Sequence, residues 1–361
     1  MKATTSTTRR PRGRTLTIGA ALVATVLAVG GSAQAGATRA TPSATPALAL
    51  AGLQVLITND DSARGLDVGF GTDGKGLYEL RRSLCAAGAD VLVVAPWSQQ
   101  SGAGARMTTP RFSPVALTVQ AVAPPAAYAG DCATTSTGGA VFGVCLTAGP
   151  CSSSTASASP ADAVNIALSR FARTYWTTGP DLVLSGVNFG QNVGSTLNHS
   201  GTVGAVVTAR EYGVPALAFS AEVPRDLAQI PNTPFAQTAA FATELVGRLV
   251  QARALKPGLV LNVNYPFVGA GETLGEPVST VAGTSNDIGL TFNGDVPRTG
   301  GTYQLSAGAP PAETRKNADT TALARNDIPI TRLDGDWSAP ESGSFLTLML
   351  GLFGDARSTR K

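Results

Sequence analysis

Histidine is almost missing from this chain of 361 residues, and His199 is the only one. A serine hydrolase would have to use it as its base. The sequence also has no Gly-x-Ser-x-Gly elbow, so that class is set aside. Cysteine is scarce, with four residues at Cys85, Cys132, Cys145 and Cys151, and none of them makes the paired C-x-x-C spacing of a zinc site. Charged residues are only 14% of the chain, and there is no internal repeat.

The excess of basic residues is local. The chain has 27 Lys+Arg against 24 Asp+Glu, but Lys2, Arg9, Arg10, Arg12 and Arg14 lie in its first stretch, where no acidic residue stands. Without that stretch the net charge is −2, and no basic tract remains for a nucleic-acid polymer or a membrane surface. The arginines precede an apolar run over 16–29, and Ala33-Gln34-Ala35 supplies a small-x-small cleavage pattern. This is the grammar of a secretory signal peptide over residues 1–35, too short for a comfortable membrane span. The expectation is a secreted or periplasmic protein. Arg9-Arg10 raises a twin-arginine route, and Pro11 weakens it.

In an oxidising compartment four cysteines suggest disulfides. Cys85 falls in a predicted helix and reads as core, and Cys132 to Cys145 is the staple that the loop-rich stretch around them suggests.

Residues 36–51 read as a flexible linker, and 43% hydrophobic residues suffice for one large domain over 52–350, followed by a tail at 351–361. Short apolar runs at 53–58, 90–95, 181–185, 215–220 and 258–264 read as buried strands. Helical patterns separate them at 76–87, 161–175, 202–212 and 234–252. Alternation of this kind predicts an α/β fold, a three-layer doubly wound arrangement with a mostly parallel, Rossmann-like sheet covered on both faces. Residues 121–159, rich in small residues and bearing three cysteines, read as an inserted surface segment. Beyond Pro266 the polar, Gly-rich pattern over 267–333 predicts a C-terminal β-hairpin extension rather than more core.

Ligands of such sheets sit at the carboxyl ends of the strands, and the polar residues gather there. The first strand runs into Asn59-Asp60-Asp61. Adjacent carboxylates repel unless one is neutralised or a hard cation such as Mg2+ or Mn2+ takes both. An Asx turn with a helix N-cap is the other reading of such a pair. Further exits carry Gln99-Gln100-Ser101-Gly102, Ser185-Gly186-Val187-Asn188 with Gln191-Asn192, and Ser200-Gly201-Thr202 opening a helix. Gly-flanked hydroxyls at a helix N-terminus offer N–H groups to an anion. Together these segments describe a metal beside a phosphate cradle.

The ordered set Thr58-Asn59-Asp60-Asp61, Val94-Ala95-Pro96, Gln100-Ser101-Gly102 and Ser159-Pro160-Ala161-Asp162 resembles the SurE family of 5′/3′-nucleotidases. So do Ser185-Gly186-Val187-Asn188-x-Gly190-x-Asn192-x-Gly194, His199-Ser200-Gly201-Thr202-Val203-Gly204, Leu261-Asn262-Val263-Asn264 and the segment 320–333. The resemblance implies a divalent-metal phosphatase acting on nucleoside monophosphates and related phosphate monoesters. It implies that Asp60, Asp61, Ser101 and Asn188 hold the metal; Asp60 or Asp61 would then serve catalysis by orienting or deprotonating the attacking water. Asn192, Ser200, Gly201 and Thr202 would hold phosphate. It also implies a homodimer or homotetramer built through the C-terminal extension. His199 stands where the family has Tyr, and becomes an acid or substrate-contact candidate. Ser62 replaces the usual Gly after the paired aspartates, and a Gly-rich insertion at 66–74 follows.

Two rival readings remain. Gly69-x-Gly71-x-x-Gly74 fits a dinucleotide fingerprint but does not follow its strand directly. A non-catalytic secreted metal- or nucleotide-binding protein could share the same fold.

Overall fold

Runs of four or five apolar residues bounded by turn signals have no exposed face to offer, and each of them becomes a buried strand. The computed structural model describes residues 50–65, 74–286 and 288–335. The leader, linker residues 36–49, Gly69 and Gly71 of the fingerprint, and everything beyond Gly335 including the 351–361 tail lie outside the described residues.

From the amino end the elements are β1 (Gln54–Thr58), α1 (Lys75–Ala86), β2 (Asp90–Pro96), β3 (Thr118–Ala121) and β4 (Val141–Cys145). Next come α2 (Pro160–Ser169), β5 (Leu182–Phe189), α3 (Gly201–Glu211), β6 (Ala216–Ala221), α4 (Phe235–Gln251) and β7 (Val260–Tyr265). The chain continues through β8 (Pro277–Thr280), β9 (Gly289–Asn293), β10 (Gln304–Gly308), α5 (Asp319–Leu323) and β11 (Ile328–Arg332). The main sheet has the order β3-β4-β2-β1-β5-β6-β7-β11-β8. Its six central strands, β4 to β7, are parallel; β3 and β11 pair antiparallel with β4 and β7. This is the predicted doubly wound α/β fold.

Strand alternation builds two cores, one on each face. Val55, Ile57, Val91, Val93, Leu182 and Leu184 face one way, under α1 and α4. Leu56, Leu92, Val94 and Val183 face the other, under α2 and α3. In α1, Leu77, Leu80 and Leu84 recur at helical spacing and are fully buried, each worth roughly 1.5–3 kcal/mol of transfer free energy. A reciprocal capping box starts α2: Ser159 Oγ accepts from the Asp162 amide at 3.0 Å, and Asp162 Oδ2 accepts from the Ser159 amide at 3.1 Å.

Three expectations need correction. The helix expected over 161–175 stops at Ser169, because Arg170 leaves helical backbone angles (φ −145°, ψ −60°) and a 3-10 turn follows over Phe171–Thr174. That turn sets Phe171 and Tyr175 edge-on to Phe142 of β4, with ring centroids 4.7 and 6.0 Å away. The segment 121–159, expected at the surface, contributes β4 to the parallel sheet, with Val144 and Cys145 buried. The extension does form an antiparallel β9–β10 hairpin, but the chain then returns to the main sheet as β11 beside β7.

The cysteines pair as Cys85–Cys132 and Cys145–Cys151, not as Cys132–Cys145. Cys85 is therefore a cross-link from α1 to the inserted segment rather than plain core. One turn before it, the buried Arg81 guanidinium donates to the carbonyls of Gly139, Tyr128 and Asp131 at 2.7, 3.1 and 3.0 Å. Helix, bridge and guanidinium thus hold 126–139 against the domain. The two bridges close loops with sequence separations of 47 and 6. Loop entropy then assigns about 4 kcal/mol to the first and about 2 kcal/mol to the second. Urea unfolding of C85A/C132A and C145A/C151A should show the larger loss in the first.

Candidate active site

The chain passes from β1 through α1 to β2 on one side, whereas β5 lies on the other side of β1. Strand order reverses there, and a crevice opens at the carboxyl ends of β1 and β5. Asn59, Asp60 and Asp61 leave β1 directly into it, and Asp60 and Asp61 are only 3% and 2% exposed.

Asn59 organises the pair. Its side-chain oxygen accepts from the Asp60 amide at 2.9 Å, and its Nδ2 donates to Asp61 Oδ2 at 3.0 Å and to the Val187 carbonyl at 3.2 Å. Asp61 Oδ2 also accepts from the Phe189 amide at 3.0 Å. Asn188 thus stands between two residues tied to the β1 exit. The β5–β6 register shifts between Ser185 and Asn188, a bulge that re-aims the strand end. Gly186 sits in that bulge at φ 132°, and a Cβ there would come within 2.2 Å of the Phe219 carbonyl oxygen.

Asp60 faces the start of α3. Its Oδ1 accepts from Thr202 Oγ1 at 2.7 Å. A Cβ on Gly201 would come within 2.8 Å of its Oδ2, so the missing side chain makes room for the carboxylate. Burial raises the Asp60 pKa above the usual carboxylate value, and the Thr202 hydroxyl together with the Asp60, Thr202 and Gly201 amides partly offsets this. No Lys or Arg among the described residues forms an ion pair with Asp60. Ser200 Oγ caps α3 by accepting from the Val203 amide at 3.1 Å. The N–H groups expected to cradle phosphate therefore already face an anion, the Asp60 carboxylate.

The remaining sequence-predicted residues lie around this core. Asn192 is buried and tied to β6 and β7: its amide donates to Asn264 Oδ1 at 2.7 Å and its Nδ2 to Ser220 Oγ at 2.9 Å. Ser101 stands in an exposed turn, its hydroxyl accepting from Gln99 Nε2 at 2.7 Å, while the Gln100 amide anchors that turn on the Asp60 carbonyl at 2.7 Å. His199 is exposed one residue before the α3 N-cap, and its carbonyl accepts from the Gly104 amide at 3.1 Å.

A divalent cation fits this set. Asn188 Oδ1 is buried without a hydrogen-bond partner, an orphaned acceptor beside two carboxylates. Such all-oxygen surroundings suit Mg2+ or Mn2+. Among the described residues there is no group of three or more His, Cys, Asp or Glu able to hold a metal. A cation here would rest on two carboxylates completed by neutral oxygens.

Sequence reasoning left several positioning residues without a role. Asn59, in the sequence only a member of the Asn-Asp-Asp motif, aligns both aspartates. Asn262 and Asn264 both donate to the Asn192 carbonyl, at 2.8 and 3.0 Å; two polar residues inside an apolar strand were the available signal. Buried Asp319 accepts from the amides of Gly194 and Gly283 at 3.0 and 2.8 Å, fastening the loop after β5 to the C-terminal extension. Only the tertiary structure links those segments.

The chain matches the family model described as Survival protein SurE over residues 55–286. It is 32% identical over 304 residues to the 5′-nucleotidase SurE of Desulfovibrio desulfuricans, covering 82% of this chain and 98% of that protein. Identity to the 5′-nucleotidase SurE of Geobacter metallireducens is 30% over 284 residues, covering 79% and 92%. The fold is similar to the crystal structure of the SurE protein from Aquifex aeolicus, with TM-score 0.55 and 23% identity over 79% of this chain and 94% of that one.

A folded-state pKa above 3.8 at Asp60 means that metal-free stability falls as pH rises through the window between 3.8 and that higher value. Asp60→Asn removes this penalty, so the metal-free variant should be more stable than wild type at pH 7 in chemical denaturation. Mn2+ at ~100 Kd should stabilise wild type by about 2.7 kcal/mol and the variant by much less.

Proposed function

The chain belongs to the SurE family of phosphoric monoester hydrolases, and from that premise we propose that it hydrolyses nucleoside monophosphates and related phosphate monoesters with a divalent cation, Mg2+ or Mn2+. The cation would be held by Asp60, Asp61, Ser101 and Asn188. The observation that carries this reading is the unpartnered, buried Asn188 Oδ1 beside two nearly inaccessible aspartates at the switch point.

When bound, the cation supplies Lewis acidity toward a phosphoryl oxygen and lowers the pKa of water. The rest falls to the chain. Asp60 or Asp61 orients the attacking water and takes its proton. Thr202 Oγ1 and the first amides of α3, which face Asp60, turn to the equatorial oxygens of the phosphoryl group as charge builds there. Asn192, braced by Asn264 and Ser220, contributes a side-chain amide to the same group. His199, exposed one residue before the α3 N-cap, meets the leaving group as an acid or as a contact to it.

The reading extends to export through the leader and to assembly through the extension. No helix among the described residues is long and apolar enough to cross a membrane. On the β9–β10 hairpin, Leu290 and Phe292 pair with Ala307 and Leu305, which places them on one face, and Leu290, Phe292 and Leu305 are exposed. An isolated two-stranded ribbon is marginal in water, and an apolar face of this kind is covered in a homodimer or homotetramer.

The decisive experiment is phosphate release by the mature protein from nucleoside monophosphates and p-nitrophenyl phosphate, with Mg2+ or Mn2+ and with chelator. Chelator and Asp61→Asn should each reduce turnover at least 100-fold. Binding without turnover in a folded sample would favour the non-catalytic binding protein. In sedimentation velocity, Phe292→Asp with Leu305→Asp should shift the wild-type oligomer toward monomer.

A further inference from the structure

Directly after the paired aspartates the chain builds a second polar feature around Ser62 and Arg64. Ser62, immediately after Asp61, adopts φ 141°, a backbone region that favours glycine. Its hydroxyl holds two neighbours at once, donating to the Trp97 carbonyl at 3.2 Å and accepting from the Arg64 amide at 3.0 Å. Arg64 Nε donates to the same Trp97 carbonyl at 2.9 Å, and the guanidinium carbon lies 5.0 Å from the centre of the Trp97 ring. Its two terminal nitrogens have no hydrogen bond or ion pair to any described residue.

Trp97 is a rigid floor for this cation. It lies over Gly143, where a Cβ would come within 2.6 Å of the ring. Its Nε1 donates to the Ser152 carbonyl at 2.8 Å, and it clusters with the Cys145–Cys151 bridge. Arg64, Gly65, Trp97 and the wall Ala121, Val122, Ala123 and Pro125 line an open cleft of about 400 Å3, the size of a small-molecule site. Its wall is apolar, and Arg64 is its charge. Arg64 follows Asp61 by three residues, which limits their Cα separation to about 11 Å.

We propose that this cleft is a second subsite of the same centre, taking the leaving group of a phosphate monoester that carries a further anion, a nucleoside bisphosphate in particular. The proposal rests on the phosphatase reading. One phosphate sits at Asp60 and Asp61, the apolar wall covers the nucleoside, and the terminal N–H groups of Arg64, unpaired among the described residues, hold the other phosphate in a forked, charge-assisted contact. An arginine serving only to brace the loop would need Nε and the ring stack, and would leave substrate preference untouched.

The test compares adenosine 3′,5′-bisphosphate with AMP in two assays on the mature protein. In turnover, Arg64→Gln should lower the ratio of kcat/KM for bisphosphate over AMP at least tenfold, mainly through KM, and Arg64→Lys should restore part of it. In binding, tryptophan fluorescence of Asp61→Asn protein should saturate at lower concentrations of bisphosphate than of AMP. That preference should vanish when Arg64→Gln is added. An unchanged ratio together with unchanged affinities in Arg64→Gln would overturn the subsite. If wild type turns over neither compound, the phosphatase reading fails instead, and the fluorescence titration still judges the cleft.

Discussion

Burying one carboxylate is costly unless hydrogen bonds or a cation compensate it, and here two lie side by side at the end of a buried strand. Much of the surrounding structure answers that constraint. Asn59 turns both groups by bonding one amide and one carboxylate oxygen. The start of α3 is brought to Asp60 so that Thr202 and the first amides compensate its charge, and Gly201 lacks a side chain where the carboxylate must fit. A bulge at Gly186 delivers Asn188 to the same point without a partner for its oxygen. Each device places a hydrogen-bond donor, a neutral oxygen or room for a carboxylate beside the paired acids.

Around this centre the chain uses buried amides as bracing. Asn192, Asn262, Asn264 and Ser220 form one network across three strand ends, so the loop after β5 has little freedom to drift. Asp319 performs the same service from a distant segment, through Gly194. The inserted segment does more than decorate the edge. It adds β4 to the sheet, ties itself to α1 through Cys85–Cys132, and supports Trp97 with the second bridge.

Much was legible beforehand because it is local. The strands at 53–58, 90–95 and 258–264 announce themselves by short runs dominated by β-branched residues and leucine, and the helices between them by the spacing of leucine, valine and alanine. Asp60 and Asp61 stood out because adjacent acids at a strand exit are electrostatically unfavourable alone. The misreadings were non-local. Small residues and cysteines made 121–159 look superficial, although pairing with β2 buries its centre. Cysteine spacing contains no information on which sulfurs meet, and Cys85 reached a partner 47 residues away.

Sequence alone therefore determined the doubly wound class, the identity of the paired acids and the order of the polar exits, because hydrophobic period and charge adjacency are properties of neighbouring residues. Tertiary structure alone decided that α3 turns its N-terminus on Asp60, that Asn188 Oδ1 is left unpartnered, and that Arg64 lies on Trp97. Those relations join segments tens to more than a hundred residues apart. They arise only when strand pairing and helix packing have brought the carboxyl ends of the sheet to one place.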